Sequence, residues 1–330
     1  MVYLSRYRHM TKVLGILLAL CLFQGVSIAQ QDAQFTQFMF NPLYYNPAFA
    51  GLSNGNTVTA IHRSQWFGYD GTINPSGAPT TQMVSYNTGS QLWNGGLGVH
   101  FVNDRLGPSS NLELQISGSY FIDLPGDASI SMGLKVGFFS SQLNFDDLVV
   151  VDPTDNLIIS GSESQLRPDL GFGFLYRKGN FFGGLSANHV IQPEFDFGTS
   201  QISNQLFRHY YFNAGFDYPL TAQITLTPSV LIKSVGLDSY SWDFGVVAKY
   251  NDQFWGGIAY RQSESASLMG GYKLMKDQGL TLAYAVDLVL SDAASKEPTS
   301  QEVMLIYTFG LKNRTRNLGK NIIRTPRYRY

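Results

Sequence analysis

Fourteen stretches of about ten residues, each alternating apolar and polar side chains with period two, run from residue 57 to residue 310. Their bounds are 57–66, 80–89, 94–104, 112–122, 129–140, 167–177, 180–190, 208–218, 222–233, 241–250, 253–262, 266–276, 279–290 and 300–310. Successive side chains of a strand point to opposite faces, so such a stretch has one greasy face and one wet or small face. In the tenth, Trp242, Phe244, Val246, Ala248 and Tyr250 oppose Asp243, Gly245 and Lys249. In the ninth, Ile224, Leu226, Val230 and Ile232 oppose Thr225, Thr227, Ser229 and Lys233. Two folds satisfy this pattern: a soluble sandwich and a transmembrane antiparallel barrel.

The connectors and the composition favour the barrel. Connectors alternate between longer loops and short turns such as Lys178-Gly179, Asn251-Asp252 and Asp277-Gln278. Membrane barrels have short periplasmic turns and long extracellular loops, whereas a sandwich has no reason to gather its short turns at one end. Charged residues are 14% of the chain and aromatics 14%, against roughly 25% charged for a soluble domain. After residue 29 no run of eighteen apolar residues exists, so a helical crossing is excluded there. Tyr120, Phe138, Tyr176, Phe181, Tyr210, Tyr218, Tyr250, Phe254, Tyr260, Tyr307 and Phe309 fall near strand ends, as interfacial girdles require. The expected fold is all-β: a transmembrane antiparallel barrel of about fourteen strands, its even count leaving both termini in the periplasm of a bacterial outer membrane.

The flanks differ from the barrel. Residues 1–29 form a signal peptide: Arg6, Arg8 and Lys12 precede the apolar run from Val13 to Val26, and Ser27 and Ala29 fit a cut before Gln30. Cys21, the single cysteine, lies inside that run, so the mature chain has no thiol chemistry. Residues 30–56 show no alternation and read as a periplasmic or lumenal segment. Residues 57–310 are the barrel. Residues 311–330 carry Lys312, Arg314, Arg316, Lys320, Arg324, Arg327 and Arg329 with no acid. This basic tail is a candidate periplasmic docking element or a solubilising end.

No enzyme motif is present: HExxH, the P-loop, CxxC and GxSxG are all missing. A rim hydrolase would need His, Ser and Asp or Asn to converge. A metal site is not expected of His62, His100, His189 and His209, which lie on separate strands without ligand spacing. No cofactor is expected. Glu113, Lys135, Asp169, Arg177, Lys233, Asp243, Lys249, Lys273, Asp287 and Glu302 fall on inward faces. Their mixed signs point to ion pairs lining or filling the lumen rather than to an ion-selective pore.

Two segments stand apart. The first, from Gln34 to Gly51, contains Phe35, Phe38, Phe40 and two Asn-Pro steps, Asn41-Pro42 and Asn46-Pro47. The Asn-Pro steps impose extended or turn backbone, and aromatics at this density need a partner surface. The second is Arg63-Ser64-Gln65-Trp66, where an Arg beside a Trp invites a cation–π contact. Both are candidate plug elements or partner-binding elements.

The stretch Gln31-Asp-Ala-Gln-Phe-Thr-Gln-Phe-Met-Phe-Asn-Pro-Leu-Tyr-Tyr-Asn-Pro-Ala-Phe-Ala-Gly51 resembles the N-terminal signature of the PorP/SprF family. Arg63-Ser-Gln-Trp66, Tyr210-Tyr-Phe-Asn-Ala-Gly215 and Tyr307-Thr-Phe-Gly310 are similar to its other signatures. The resemblance implies an outer-membrane protein of the type IX secretion system in Bacteroidota, the apparatus tied to gliding motility. It implies partners rather than substrates: the C-terminal signal domain of secreted or surface adhesins, and periplasmic components of the apparatus. Loops 141–166 and 191–207 would serve the outer face, the first carrying Asp146, Asp147, Asp152, Asp155 and Glu163. A small-solute channel is the alternative.

Overall fold

The computed structural model describes residues 32–310 apart from 54, 70–76, 91, 149–159, 198–202, 238, 275–278 and 291–296. The strands are β1 (Asn56–Ser64), β2 (Thr80–Gly89), β3 (Gly95–Leu106), β4 (Ser109–Leu124), β5 (Ala128–Asn144), β6 (Ser162–Lys178), β7 (Phe181–Asn188), β8 (Glu194–Asp196), β9 (Ser203–Gln205), β10 (His209–Phe216), β11 (Tyr218–Pro219), β12 (Ile224–Val235), β13 (Ser239–Tyr250), β14 (Phe254–Arg261), β15 (Ser265–Lys273), β16 (Gly279–Val289) and β17 (Thr299–Phe309).

Fourteen of them, β1–β7, β10 and β12–β17, close into one antiparallel barrel. First and last strands pair directly, from Asn56 opposite Phe309 to Ser64 opposite Gln301. The ring is completed by β10 against β12. Two-residue β11 adds a step to β12, and β8 and β9 form a separate hairpin within the β7–β10 connector. Every expected strand is found. Among the described residues no helix is long or apolar enough to cross a membrane.

The alternation maps onto two faces. On β4, Leu112, Leu114, Ile116, Tyr120 and Ile122 face outward, exposed, while Glu113, Gln115, Ser117 and Ser119 are buried inside. On β5, Met132, Leu134, Val136 and Phe138 are outside, and Ser129, Ser131 and Lys135 are inside. This outward band of large apolar side chains is what a hydrocarbon solvent requires.

The strands β4, β5 and β6 are longer than the alternation indicates, at 16, 17 and 17 residues. The added ends at the long-connector rim, Ser109–Asn111, Ser140–Asn144 and Ser162–Leu166, are mostly polar, with Leu143 and Leu166 the apolar exceptions. The period-two signal therefore stops while the backbone ladder continues. The connector between β3 and β4 shrinks to Gly107-Pro108, with Gly107 at φ +58°. The turn at Asn251 and Asp252 has φ +49° and +53°, the left-handed pair of a tight hairpin. Asp277-Gln278 lies outside the described residues.

The segment before β1 folds as three short turns: a 3-10 turn at Phe38–Phe40, one α-helical turn at Pro42–Tyr45 and a 3-10 turn at Pro47–Phe49. Each Asn-Pro step starts a turn, with proline where its missing N–H costs nothing. Asn46 is extended, at φ −141° and ψ 114°. This segment lies inside the barrel.

Candidate functional site: an occupied lumen

The lumen is filled by the chain's own N-terminal segment. Phe35, Gln37, Asn46 and Ala48 are completely buried. Phe35, Phe38, Met39, Phe40, Tyr44 and Tyr45 share one apolar cluster with wall residues Met83, Leu231, Val247, Met304 and Ile306. Ala48, Phe49 and Leu52 form a second with Phe121, Leu175 and Phe182. Beside the segment, two cavities measure about 10 Å³ each, room for a single water.

Three wall features hold it. The first is charge. Arg63 of β1 is 1% exposed, its Nη2 2.7 Å from Asp287 Oδ2 and its Nη1 3.5 Å from Glu302 Oε2. Between these groups sits Thr36, whose hydroxyl accepts from Arg63 and donates to Asp287 at 2.8 Å. The amides of Thr36 and Gln37 donate to Glu302 at 2.7 and 3.0 Å. Beside them, Arg261 donates to the Phe35 carbonyl at 3.0 Å and pairs with Asp243 and Glu264. Lys233 bridges Asp243 and the Gln34 side chain. Buried charges persist only when paired and hydrogen-bonded, and here the segment's backbone supplies part of that pairing. Of the inward charges, Glu113, Lys135, Asp169, Lys233, Asp243, Asp287 and Glu302 are held in ion pairs.

The second feature is a hydrogen-bond clamp at Asn46. Its Nδ2 donates to the Phe174 and Leu185 carbonyls, at 3.1 and 3.3 Å, and its Oδ1 accepts from Ala48 N at 2.9 Å. The Tyr45 carbonyl takes bonds from Ser186 and Asn188, the Ala48 carbonyl from Ser131, and the Ala50 carbonyl from Ser119. Asn41 donates to the Met83 sulfur at 3.0 Å.

The third feature is glycine. A Cβ on Gly96 would overlap the Gly51 Cα, one on Gly133 the Ala48 amide, and one on Gly173 the Asn46 side chain. The small inward faces of β3, β5 and β6 are therefore seats for a backbone. Sequence reading treats Gly173 only as a small inward residue; several inward glycines on neighbouring strands were the available sign of an occupied bore.

Of the singled-out residues, Phe35, Phe38, Phe40, Asn41, Pro42, Asn46, Pro47 and Arg63 meet inside the barrel. Phe40 lies 4.3 Å from Trp255, ring to ring. Gln65 and Trp66 do not join them. Gln65 N donates to the Pro79 carbonyl, Trp66 N donates to Ser300 Oγ, and the indole meets the Tyr69 ring edge-on at 6.1 Å. Arg63 points into the lumen towards two carboxylates, while Trp66 lies beyond β1 with φ +50°. The basic residues of the tail and the signal segment lie outside the described residues.

The structure brings two of the histidines together. His189 directly follows β7 and His209 opens β10; Asn188 pairs with His209 in register, and the two rings stand 5.4 Å apart. Asp32 joins them from the N-terminal segment. Sequence spacing is silent on such a cluster because cross-strand pairing and a lumenal segment create it.

The even strand count brings the start of β1 and the end of β17 to the short-turn rim. The N-terminal segment doubles back through the bore, placing Asp32 toward the long-connector rim, beside His189 and His209.

A closed antiparallel barrel with an apolar belt and its own leading segment folded into the bore defines an outer-membrane β-barrel protein with a filled lumen. The chain belongs to the PorP/SprF family of type IX secretion system membrane proteins, whose model matches residues 27–307. No curated protein matches the chain. Among solved structures, it is similar to the Ralstonia pickettii toluene transporter TbuX (12% identity, 80% of this chain and 91% of that one, TM-score 0.46). It is also similar to a Pseudomonas aeruginosa FadL homologue (12%, 82% and 93%, 0.47) and to the CymD monoaromatic hydrocarbon channel (14%, 87% and 96%, 0.48). These likenesses carry no inference about what this chain binds.

Proposed function

We propose that this chain is a non-enzymatic outer-membrane component of the type IX secretion system. It receives the C-terminal signal domain of particular secreted or surface proteins, gliding adhesins among them, and supports their export or anchoring at the cell surface. Family membership supports the assignment to the apparatus. The filled lumen carries the rest: a bore closed by its own chain leaves the rims as the working surfaces. On the long-connector rim, the paired ends of β5 and β6 run past the end of β7, and the hairpin of β8 and β9 packs Phe195 and Phe197 with Phe139 and Leu206. We place this rim outside the cell, with its acidic Asp146, Asp147 and Glu163 toward the partner. The opposite rim, where β1 begins and β17 ends, faces the periplasm, and the basic tail follows it there to meet periplasmic components.

Deleting the gene and profiling surface proteins tests the proposal. Loss of one or a few proteins that carry a C-terminal signal domain is expected, together with their recovery on the native complex by mass spectrometry. An unchanged surface profile would overturn it. Liposome swelling separates the channel alternative: the intact protein is expected to pass no small solutes.

A further inference from the structure

We infer that Asp32, His189 and His209 form a binding site for a divalent transition-metal ion of the zinc class, which ties the head of the lumenal segment to the barrel wall. One ligand atom from each residue lies within 4.8 Å of the other two. Tetrahedral ligand atoms about 2.1 Å from a common ion stand roughly 3.3 Å apart, so a side-chain adjustment of about 1 Å closes the set. Two imidazoles and one carboxylate, with a fourth position open, suit zinc and its neighbours rather than magnesium or calcium.

The surroundings match what a metal histidine needs. A ligating imidazole usually gives its other ring nitrogen to a carboxylate or a carbonyl. His189 holds Asp32 Oδ1 at 2.8 Å on Nε2 and Asp169 Oδ2 at 2.9 Å on Nδ1. Asp169 is in turn fixed by Gln115 at 2.6 Å. His209 donates from Nδ1 to the Phe207 carbonyl at 2.9 Å. The ring approaches Asp32 Oδ1 at 3.9 Å through Nδ1, and its buried Nε2, which has no hydrogen-bond partner among the described residues, carries the free lone pair that a small ring rotation would bring to an ion. Tyr211 holds the second oxygen of Asp32 at 2.5 Å.

Charge points the same way. Asp32 and Asp169 flank one imidazole, and among the described residues their ion pairs are with His189 and His209 alone. A divalent ion held by two neutral imidazoles would balance both carboxylates. Phe139 lies edge-on over His189 at 5.7 Å, and Phe195 lies beside it, so the site is roofed by apolar rings. Asp32 belongs to the lumenal segment while His189 and His209 belong to the wall, so the ion would act as a staple between them.

The test uses the full-length mature protein in detergent, carrying a tag without histidines. After chelation, incubation with Zn²⁺ and gel filtration, metal analysis is expected to find one equivalent per chain. Co²⁺ is expected to give the visible absorption of a tetrahedral site. Asp32→Asn and His209→Gln, each shown to keep the heat-modifiable folded band, are expected to bind at least tenfold more weakly. A wild type that retains no Zn²⁺, or folded variants that bind as tightly as it does, would each overturn the proposal.

Discussion

Arg63 shows how a single inward residue couples barrel and filling. Its guanidinium serves two buried carboxylates and the Thr36 hydroxyl at once. Arg63→Ala strands Asp287 and Glu302 in the interior, and removing one member of such a buried set costs about 3–5 kcal/mol. A lower urea midpoint in detergent is expected, with Arg63→Lys only partly restoring it, because an ammonium lacks the planar fork. Asn46 is the second test. It holds two wall carbonyls and its own turn, whereas Asn41 holds a sulfur. Asn46→Ala is expected to cost about 1–3 kcal/mol by leaving buried groups unpaired, more than Asn41→Ala in the same titration. The outcome in which the two match would refute the clamp.

At the scale of elements, the lumenal segment depends on wall glycines for room. Gly133→Leu on β5 places a side chain where the Ala48 backbone lies. Overpacking of this kind costs about 1–3 kcal/mol. Circular dichroism of the barrel is expected to stay unchanged while limited proteolysis begins to cut within residues 32–52. The strands themselves were legible in the sequence because lipid on one side and packing on the other write opposite residue types at alternate positions. That signal fades where the ends of β4, β5 and β6 turn mostly polar, with only Leu143 and Leu166 to mark a face, so their length was not legible. The aromatic Asn-Pro segment was recognisable as needing a partner surface. The surface it meets was not, because its grip comes from Glu302, Asp287, Arg261 and Asn188, each distant in sequence. The meeting of His189 and His209 arises from strand register and likewise leaves no local trace.

For the whole molecule, the filled bore makes a plain electrical prediction. The full-length protein in a planar bilayer is expected to show no steady conductance. A variant lacking residues 32–52 is expected to conduct, since fourteen strands enclose a water-filled bore once nothing occupies it. Steady current from the intact protein would contradict a filled lumen. Truncation after Gly310 addresses the tail separately: lost recovery of periplasmic components is expected, with the barrel's heat-modifiable band intact.

The amides of Thr36 and Gln37 bind Glu302, a side chain of the final strand. Residues near the start of the chain thus have no complete berth until the last strand has been laid beside the first. The part of the segment at Thr36 and Gln37 therefore gains its full set of contacts only as the cylinder shuts, even though Asn46 and Ala48 meet strands laid earlier. Its berthing then reports that the cylinder has closed, and a barrel halted one strand short would present an untethered head.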